Sequence, residues 1–585
     1  MPSVNARAFQ IAFESSLAKS GRVSARDVKA LASAAAKIKD EGEARAAAEV
    51  LALVKHDRLL DDDEVEPARK ALCRLLGVSP RGLPPSVERV LKNAVPVPNV
   101  RVQNYDLSFD FSARAQGEPD SFPARAVITL EDAAGKHSIL EADPDRLDIE
   151  EVRAGGKSVP FTMKDGRLTV SAPGARRLDV RYRVRPTDDT SGYGLVRDRH
   201  AGRMWTLTWP YNTGALFPST SRPHDGATAK VTVKVTRGEQ VVSAGKKQPD
   251  GSFHLDKEVP AYAISLYTGR FVDGGTSRGS SGVDVRLHGL GSRLSEGTRQ
   301  ELRTTVAKAV EFFSGWLGKY PFGDLLNVVE IDSEYGGMEH AGAVAVGLGQ
   351  GRADTVEAGV HEAAHHWFGD GVRIAHWGEL WMSEGFTNYA TFRFFRQHQG
   401  EEKFRALLDT AKETLREQLD KHHTQPLRGP ATTDPQAGLT WVPYMHGVWM
   451  LRMLEVKLGT GKLDELLRAW FQQQRHEVVD TEGFIRFAEA RTGERLRPFF
   501  AAWDHLVAMP SVRDKSTIEG STVTFKLAPK TPVPEGVAIP VTVRGRRGET
   551  AQLTVVPGQV RTVDVGFAVR KLEWDPERAV LCDVH

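Results

Sequence analysis

The rhythm of hydrophobic and polar positions changes three times along the chain. From residue 1 to about 95, apolar residues recur every three or four positions. In RDVKALASAAAKIKD and EARAAAEVLALVKHD this is the spacing that lines one face of a helix. The stretch from Ser79 to Pro98 holds five prolines and reads as a linker. From Val100 to about Asp273 the period drops to two. YDLSFDF, ARAVITL, LDVRYRV and KVTVKVT are short alternating runs separated by Gly, Pro and Asp, as in an antiparallel β domain. The run GGTSRGSSG (274–282) reads as its exit. Helical spacing returns near Ser295 and continues to about Trp503, interrupted by the apolar run LLNVVEID (325–332). Alternation resumes in the last eighty or so residues, where a small sandwich fits. The pattern predicts a multidomain α+β protein: a helical segment over 1–97, β over 98–275, a mostly helical domain over 276–506 and a β-sandwich over 507–585.

Composition narrows the choices further. A chain of 585 residues is too long for one core. A formal net charge of +2 gives no basis for a nucleic-acid or anionic-membrane partner. No run approaches the roughly eighteen apolar residues of a membrane-spanning helix. The opening MPSVNARAFQIAFESSLAKS is no secretory leader, so a cytoplasmic location is expected. Two cysteines, Cys73 and Cys582, are too few for a Cys-rich zinc module, so a metal here would take His and carboxylate ligands. The acidic run from Asp61 to Glu64 lacks the alternating ligands and central Gly of a calcium loop and reads as the start of a helix.

Such a ligand set stands at HEAAHHWFGD (361–370). His361 and His365 are one helical turn apart and share a face, while Glu362 lies about 100° round the axis. Two imidazoles can therefore meet one ion, with a carboxylate beside it to take a proton from a water on the metal. A catalytic zinc needs a third protein ligand. Glu384, nineteen positions past His365 at the start of the helical run EGFTNYATFRFFRQH, is the candidate. By itself HExxH is a weak motif in a chain with 18 histidines. His366 falls off the metal face and reads as packing or support; His376, His422 and His423 have no geometric claim.

Together, HEAAHHWFGD, Glu384 within LWMSEGF and the upstream YGGMEHAGA (335–343) resemble the M1, or gluzincin, metallo-aminopeptidases. The resemblance covers roughly residues 100–585. It implies a saddle-like β domain and a thermolysin-like catalytic domain holding one Zn2+ on His361, His365 and Glu384. Glu362 would be the general base. Glu339 would bind the free amine of a peptide substrate, with Gly336, Gly337, Met338 and His340 lining its path. Tyr444, in WVPYMHGVWML, would stabilise the oxyanion, with Tyr335 as runner-up. The implied function is zinc-dependent aminopeptidase action on peptides with a free N-terminus; oligomeric state stays open. A zinc endopeptidase or other hydrolase on the same scaffold, and a non-catalytic scaffold protein, are the alternatives.

The chain departs from the pattern in places. His340 replaces the usual Asn, and Met445 and His446 stand where Glu and Lys are common. TLTWPYNTGALFPSTSRP (206–223) lacks the usual second amine-binding Gln or Glu; Trp205, Trp209 and Tyr211 stand nearby, either as an aromatic pocket or as sheet packing. Residues 1–95 lie outside the resemblance.

Overall fold

The computed structural model describes residues 3–18, 31–53, 62–79 and 100–585, leaving out 117–118, 165, 200, 292, 334–335, 349–351, 422–425, 430–439, 505 and 507. The order of elements is the one the periodicity predicts: helices, an antiparallel-rich β region, a mostly helical region and a two-sheet β region. These fall into two compact units.

In the first unit, helices Val4–Ala18, Glu41–Leu53 and Asp62–Leu76 close around Phe9, Phe13, Val50, Leu72 and Leu75, all fully buried. The third helix begins at Asp62, within the acidic run. Asp61 and the proline-rich stretch from residue 80 lie outside the described residues. Cys73 is buried in this cluster, and neither cysteine forms a disulfide. The alternating segments pair into an eight-stranded sheet. Strand Arg177–Val184 alternates exposed and buried residues along its length, as a half-buried strand must. One pairing, Val102–Asp110 with Ala227–Lys234, is parallel; the rest of this sheet is antiparallel.

A second, four-stranded sheet carries Trp205 opposite Tyr267, both buried. Trp205 therefore packs the sheet. Trp209 meets Trp377 edge-on with centroids 6.4 Å apart, and Trp377 lies 5.9 Å from Tyr262, so three rings form one aromatic cluster. Tyr211 is half-buried.

The second unit begins at Phe271. Residues 274–282 do not form a plain exit. Val272–Arg278 is an edge strand of this unit, paired with Asp284–Gly289. Its glycines read as linker because they serve a bulge between Asp273 and Thr276, where Gly275 has φ 80°. The sheet then runs Asp284–Gly289, Leu325–Ile331, Ala343–Gly347 and the two-residue edge strand Gly337–Met338. Helix Glu296–Trp316, capped by Ser295, packs on it. Helix Arg352–His365 lies tight against that helix at Gly359. A Cβ there would stand 2.6 Å from Leu302 Cδ1 and 3.1 Å from Val306 Cγ2.

The long helix Trp381–Lys421 is broken at Gly400 (φ 87°), and helix Trp441–Leu458 packs along it. Beyond the break, Asp409 pairs with Arg578 and Arg416 with Asp583, each at 2.8 Å, tying the helix to the C-terminal sandwich. Among the described residues no helix is long and apolar enough to cross a membrane.

The entry into the long helix is fixed by Glu379, whose buried carboxylate accepts from the backbone N–H of Thr481 at 3.2 Å and from its hydroxyl. Trp381 Nε1 donates to the same hydroxyl at 2.8 Å. Burial, offset by the Thr481 bonds, pushes the Glu379 carboxyl up from 4.5 to about 7. The folded chain thus keeps a proton that the unfolded chain has released. Stability therefore falls as pH rises from about 4.5 to about 7 and is then level, by at most on the order of 3 kcal/mol. Glu379→Gln keeps an acceptor but cannot ionise. Thermal melts are expected to show it matching wild type at pH 4.5 and exceeding it at pH 8.

Candidate metal centre

Helix Arg352–His365 places His361 and His365 on one face, and helix Trp381–Lys421 brings Glu384 to meet them in its first turn. The three atoms form a triangle. His361 Nε2 and His365 Nε2 are 3.0 Å apart, and Glu384 Oε2 is 3.1 Å from His365 Nε2 and 3.4 Å from His361 Nε2. Among the described residues this is the one cluster of His, Cys or acidic ligand atoms close enough to hold a metal. A tetrahedral zinc with ligands at about 2.0–2.1 Å has edges of roughly 3.3 Å, so the triangle fits one. Converging lone pairs also repel unless a cation sits among them.

The electrostatics point the same way. Burial works against charge on His365, yet Glu384, Glu339 and Glu362 raise it well above the ordinary imidazole range. Burial opposes ionisation of Glu384, but the two histidines hold it down at about 2. The Nδ1–H of His365 donates to the Phe368 carbonyl at 3.0 Å, which leaves its Nε2 lone pair for the triangle.

Glu362 is buried beside these ligands. Burial pushes its carboxyl well above the ordinary range; His365 opposes this, and Glu339 and Glu384 reinforce it. Gly337, on the edge strand, lies directly on this carboxylate, and any Cβ there would overlap Glu362 Oε1. Glu339 follows the strand, buried, with Oε1 lacking a hydrogen-bond partner. Burial, against the pull of His365, raises it to about 7. Gly336 is exposed and Met338 buried. His340 is fully enclosed, and burial together with His366 pushes it down to about 3, keeping it neutral.

The half-buried Tyr444 comes from helix Trp441–Leu458; burial and the nearby Glu384 carboxylate push its hydroxyl well above the ordinary range, and its ring lies 6.4 Å from His361 at an interplanar angle of 19°. Its helix approaches at two glycines. A Cβ on Gly385 would sit 2.6 Å from Gly447 Cα, and one on Gly447 2.6 Å from Gly385 Cα. Tyr335 lies outside the described residues.

Sequence reading missed several of these features. The helix ends at His365, so His366 to Asp370 fold into a turn in which Gly369 takes φ 117°. His366 Nδ1 accepts from the Tyr320 hydroxyl at 3.0 Å and its Nε2 donates to the His340 carbonyl at 3.2 Å, as a support rather than a ligand. Asp370 ends up fully buried, with neither carboxylate oxygen hydrogen-bonded. Its place after WFG, in an apolar run, was the available signal. His376 belongs to a segment of the first unit, and His422 and His423 lie outside the described residues.

Residues 302–503 match the Peptidase family M1 domain. Leucine aminopeptidase 2 of Yarrowia lipolytica is 26% identical over 381 residues, covering 59% of this chain and 57% of its own length. Probable aminopeptidase 2 of Sulfurisphaera tokodaii is 23% identical over 61% of this chain and 48% of its own. The chain thus spans less than two thirds of these curated relatives. Among solved structures, aminopeptidase A of Legionella pneumophila in complex with aspartic acid aligns with TM-score 0.68 at 16% identity, over 84% of this chain and 60% of that one. The M1 zinc metallopeptidase of Deinococcus radiodurans aligns at 0.57 and 22% identity, over 71% and 96%. At these identities the likeness shows the fold.

The triangle carries its own test. Metal analysis after dialysis is expected to find one zinc per chain, and less than a tenth of that in His365→Ala.

Proposed function

We propose that the chain is a zinc-dependent aminopeptidase of the M1 type, whose family domain its residues 302–503 match, hydrolysing the first peptide bond of substrates with a free N-terminus. The observation that carries this reading is Glu339: a buried carboxylate with an unpaired oxygen, close enough to His365 and Glu384 to shift with them. A buried acceptor without a donor is costly unless a ligand supplies one. An α-ammonium group supplies three, with a matching charge. An internal peptide segment offers only neutral amide N–H groups and no ammonium to pair with the carboxylate, which argues against an endopeptidase.

His361, His365 and Glu384 would hold one zinc. Bound there, it would polarise the scissile carbonyl and lower the pKa of water. The remaining work falls to the chain's own side chains. Glu339 fixes the amine, and with it the distance from the amine to the first peptide bond. The edge strand Gly337–Met338, paired on its inner side with Ala345 and Val346, leaves its outer edge to take substrate backbone as an added strand. Glu362, with a carboxyl raised by burial, takes the proton of the attacking water and returns it to the leaving amine. Tyr444 donates its hydroxyl proton in a hydrogen bond to the developing oxyanion.

The test is a series of chromogenic amino-acid amides, each with a free and an acetylated amine. Hydrolysis of the free-amine set alone is expected; equal hydrolysis of both sets would overturn the role of Glu339. Glu362→Gln should lose about 10²–10⁴-fold in kcat, and Tyr444→Phe about 10²–10³-fold. Gly337→Ala, whose new methyl group displaces Glu362, should lower kcat while leaving the zinc content at one per chain.

A further inference from the structure

The turn after His365 and the helix that carries Glu384 meet at one imidazole. His365 Nε2 faces Glu384 Oε2 at 3.1 Å. On the other side of the ring, Nδ1 lies 3.0 Å from the Phe368 carbonyl, 3.2 Å from Thr387 Oγ1 and 3.4 Å from Ser383 Oγ. Thr387 Oγ1 is itself 3.2 Å from the Phe368 carbonyl. Ser383 and Thr387 are one turn apart on the helix, and Glu384 is the neighbour of Ser383. A single helix thus holds the imidazole from both sides. All four groups are buried.

We propose that Thr387 is a positioning residue for the metal site, setting the tautomer and rotation of His365 through the Phe368 carbonyl. The proton logic is closed. A carbonyl has no proton, so Nδ1 is the donor and Nε2 keeps a lone pair. Thr387 Oγ–H donates to the same carbonyl, so its oxygen lone pairs are turned toward Nδ1–H. Both acceptors near Nδ1 therefore favour one tautomer, the one that can bind a metal through Nε2. Rotation is fixed as well, because a ring flip would strip Nδ1–H of both. Gly369 lets the carbonyl reach this place. Its φ of 117° folds the chain back, and a Cβ there would stand 2.6 Å from Ser383 Oγ and 3.1 Å from His365 Nδ1. Ser383, with the longest contact, plays the lesser part.

This inference rests on the zinc reading of the triangle, and its test separates the two. Thr387→Val keeps the shape of the side chain, and the Phe368 carbonyl keeps its bond from His365, so no buried polar group is orphaned. Zinc affinity is measured by competition with a chromophoric chelator on the full chain, alongside thermal melts. Thr387→Val is expected to bind zinc 10–100-fold more weakly at an unchanged Tm, and Thr387→Ser to restore affinity to within about threefold of wild type. Thr387→Ala, smaller and equally without a hydroxyl, should fall with Val. The cobalt-substituted protein adds a readout that packing alone would not move: its visible d–d bands should shift in Val and Ala and return in Ser. Wild-type affinity and spectrum in Thr387→Val overturns the proposal and leaves the zinc site standing. A Ser variant as weak as Val also overturns it. Failure of the wild-type chain to bind zinc overturns both readings.

Discussion

The structure is organised around an electrostatic demand. Two imidazole nitrogens and a carboxylate oxygen converge within 3.0–3.4 Å, in a place where three further carboxylates, Glu339, Glu362 and Asp370, are buried. So many acceptors with so few donors would not stay together without positive charge at their centre. The rest of the second unit supplies the rigidity that keeps them there. Gly359 seats the histidine helix on its neighbour, the Glu379–Thr481–Trp381 bonds fix where the next helix starts, and the edge strand presses Gly337 onto the Glu362 carboxylate.

Each buried carboxylate is held differently, and this divides their tasks. Glu384 faces both histidines and stays ionised, as the proposed ligand role would require. Glu362 and Glu339 feel burial more than attraction and are driven upward, one suited to passing a proton and the other to waiting for a cation. Environment separates these roles, since the side chains are chemically the same.

Much of this could be read from the sequence. Helical period alone puts His361 and His365 on one face with Glu362 beside them; Glu384, on the next helix, is legible only through its spacing and the family resemblance. The alternation in RLDVRYRV became a half-buried strand for the same reason: local pattern and burial agree. What could not be read depends on contacts between distant segments. The glycines of 274–282 look like a linker until their strand finds its partner, and Thr387 looks like an ordinary helix residue until the turn after His365 folds beneath it. The helix end at His365 was hidden too, because HHWFG continues the helical composition while Gly369 ends it through backbone geometry. His340 illustrates a further limit: its identity is plain in the sequence, but its complete enclosure comes from tertiary packing.

Gly385 and Gly447 face each other so closely, between the helix bearing Glu384 and the helix bearing Tyr444, that a Cβ on either would stand 2.6 Å from the other's Cα. Neither helix can gain even a methyl group there without moving the other. Sequence drift at these two positions is therefore not independent. A lineage leaving glycine at one would first have to re-space the helices, and with them the distance from the tyrosine hydroxyl to Glu384. The pair works as an evolutionary ratchet, in which a contact holding no charge, no hydrogen bond and no substrate restricts the chemistry available to the descendants of this chain.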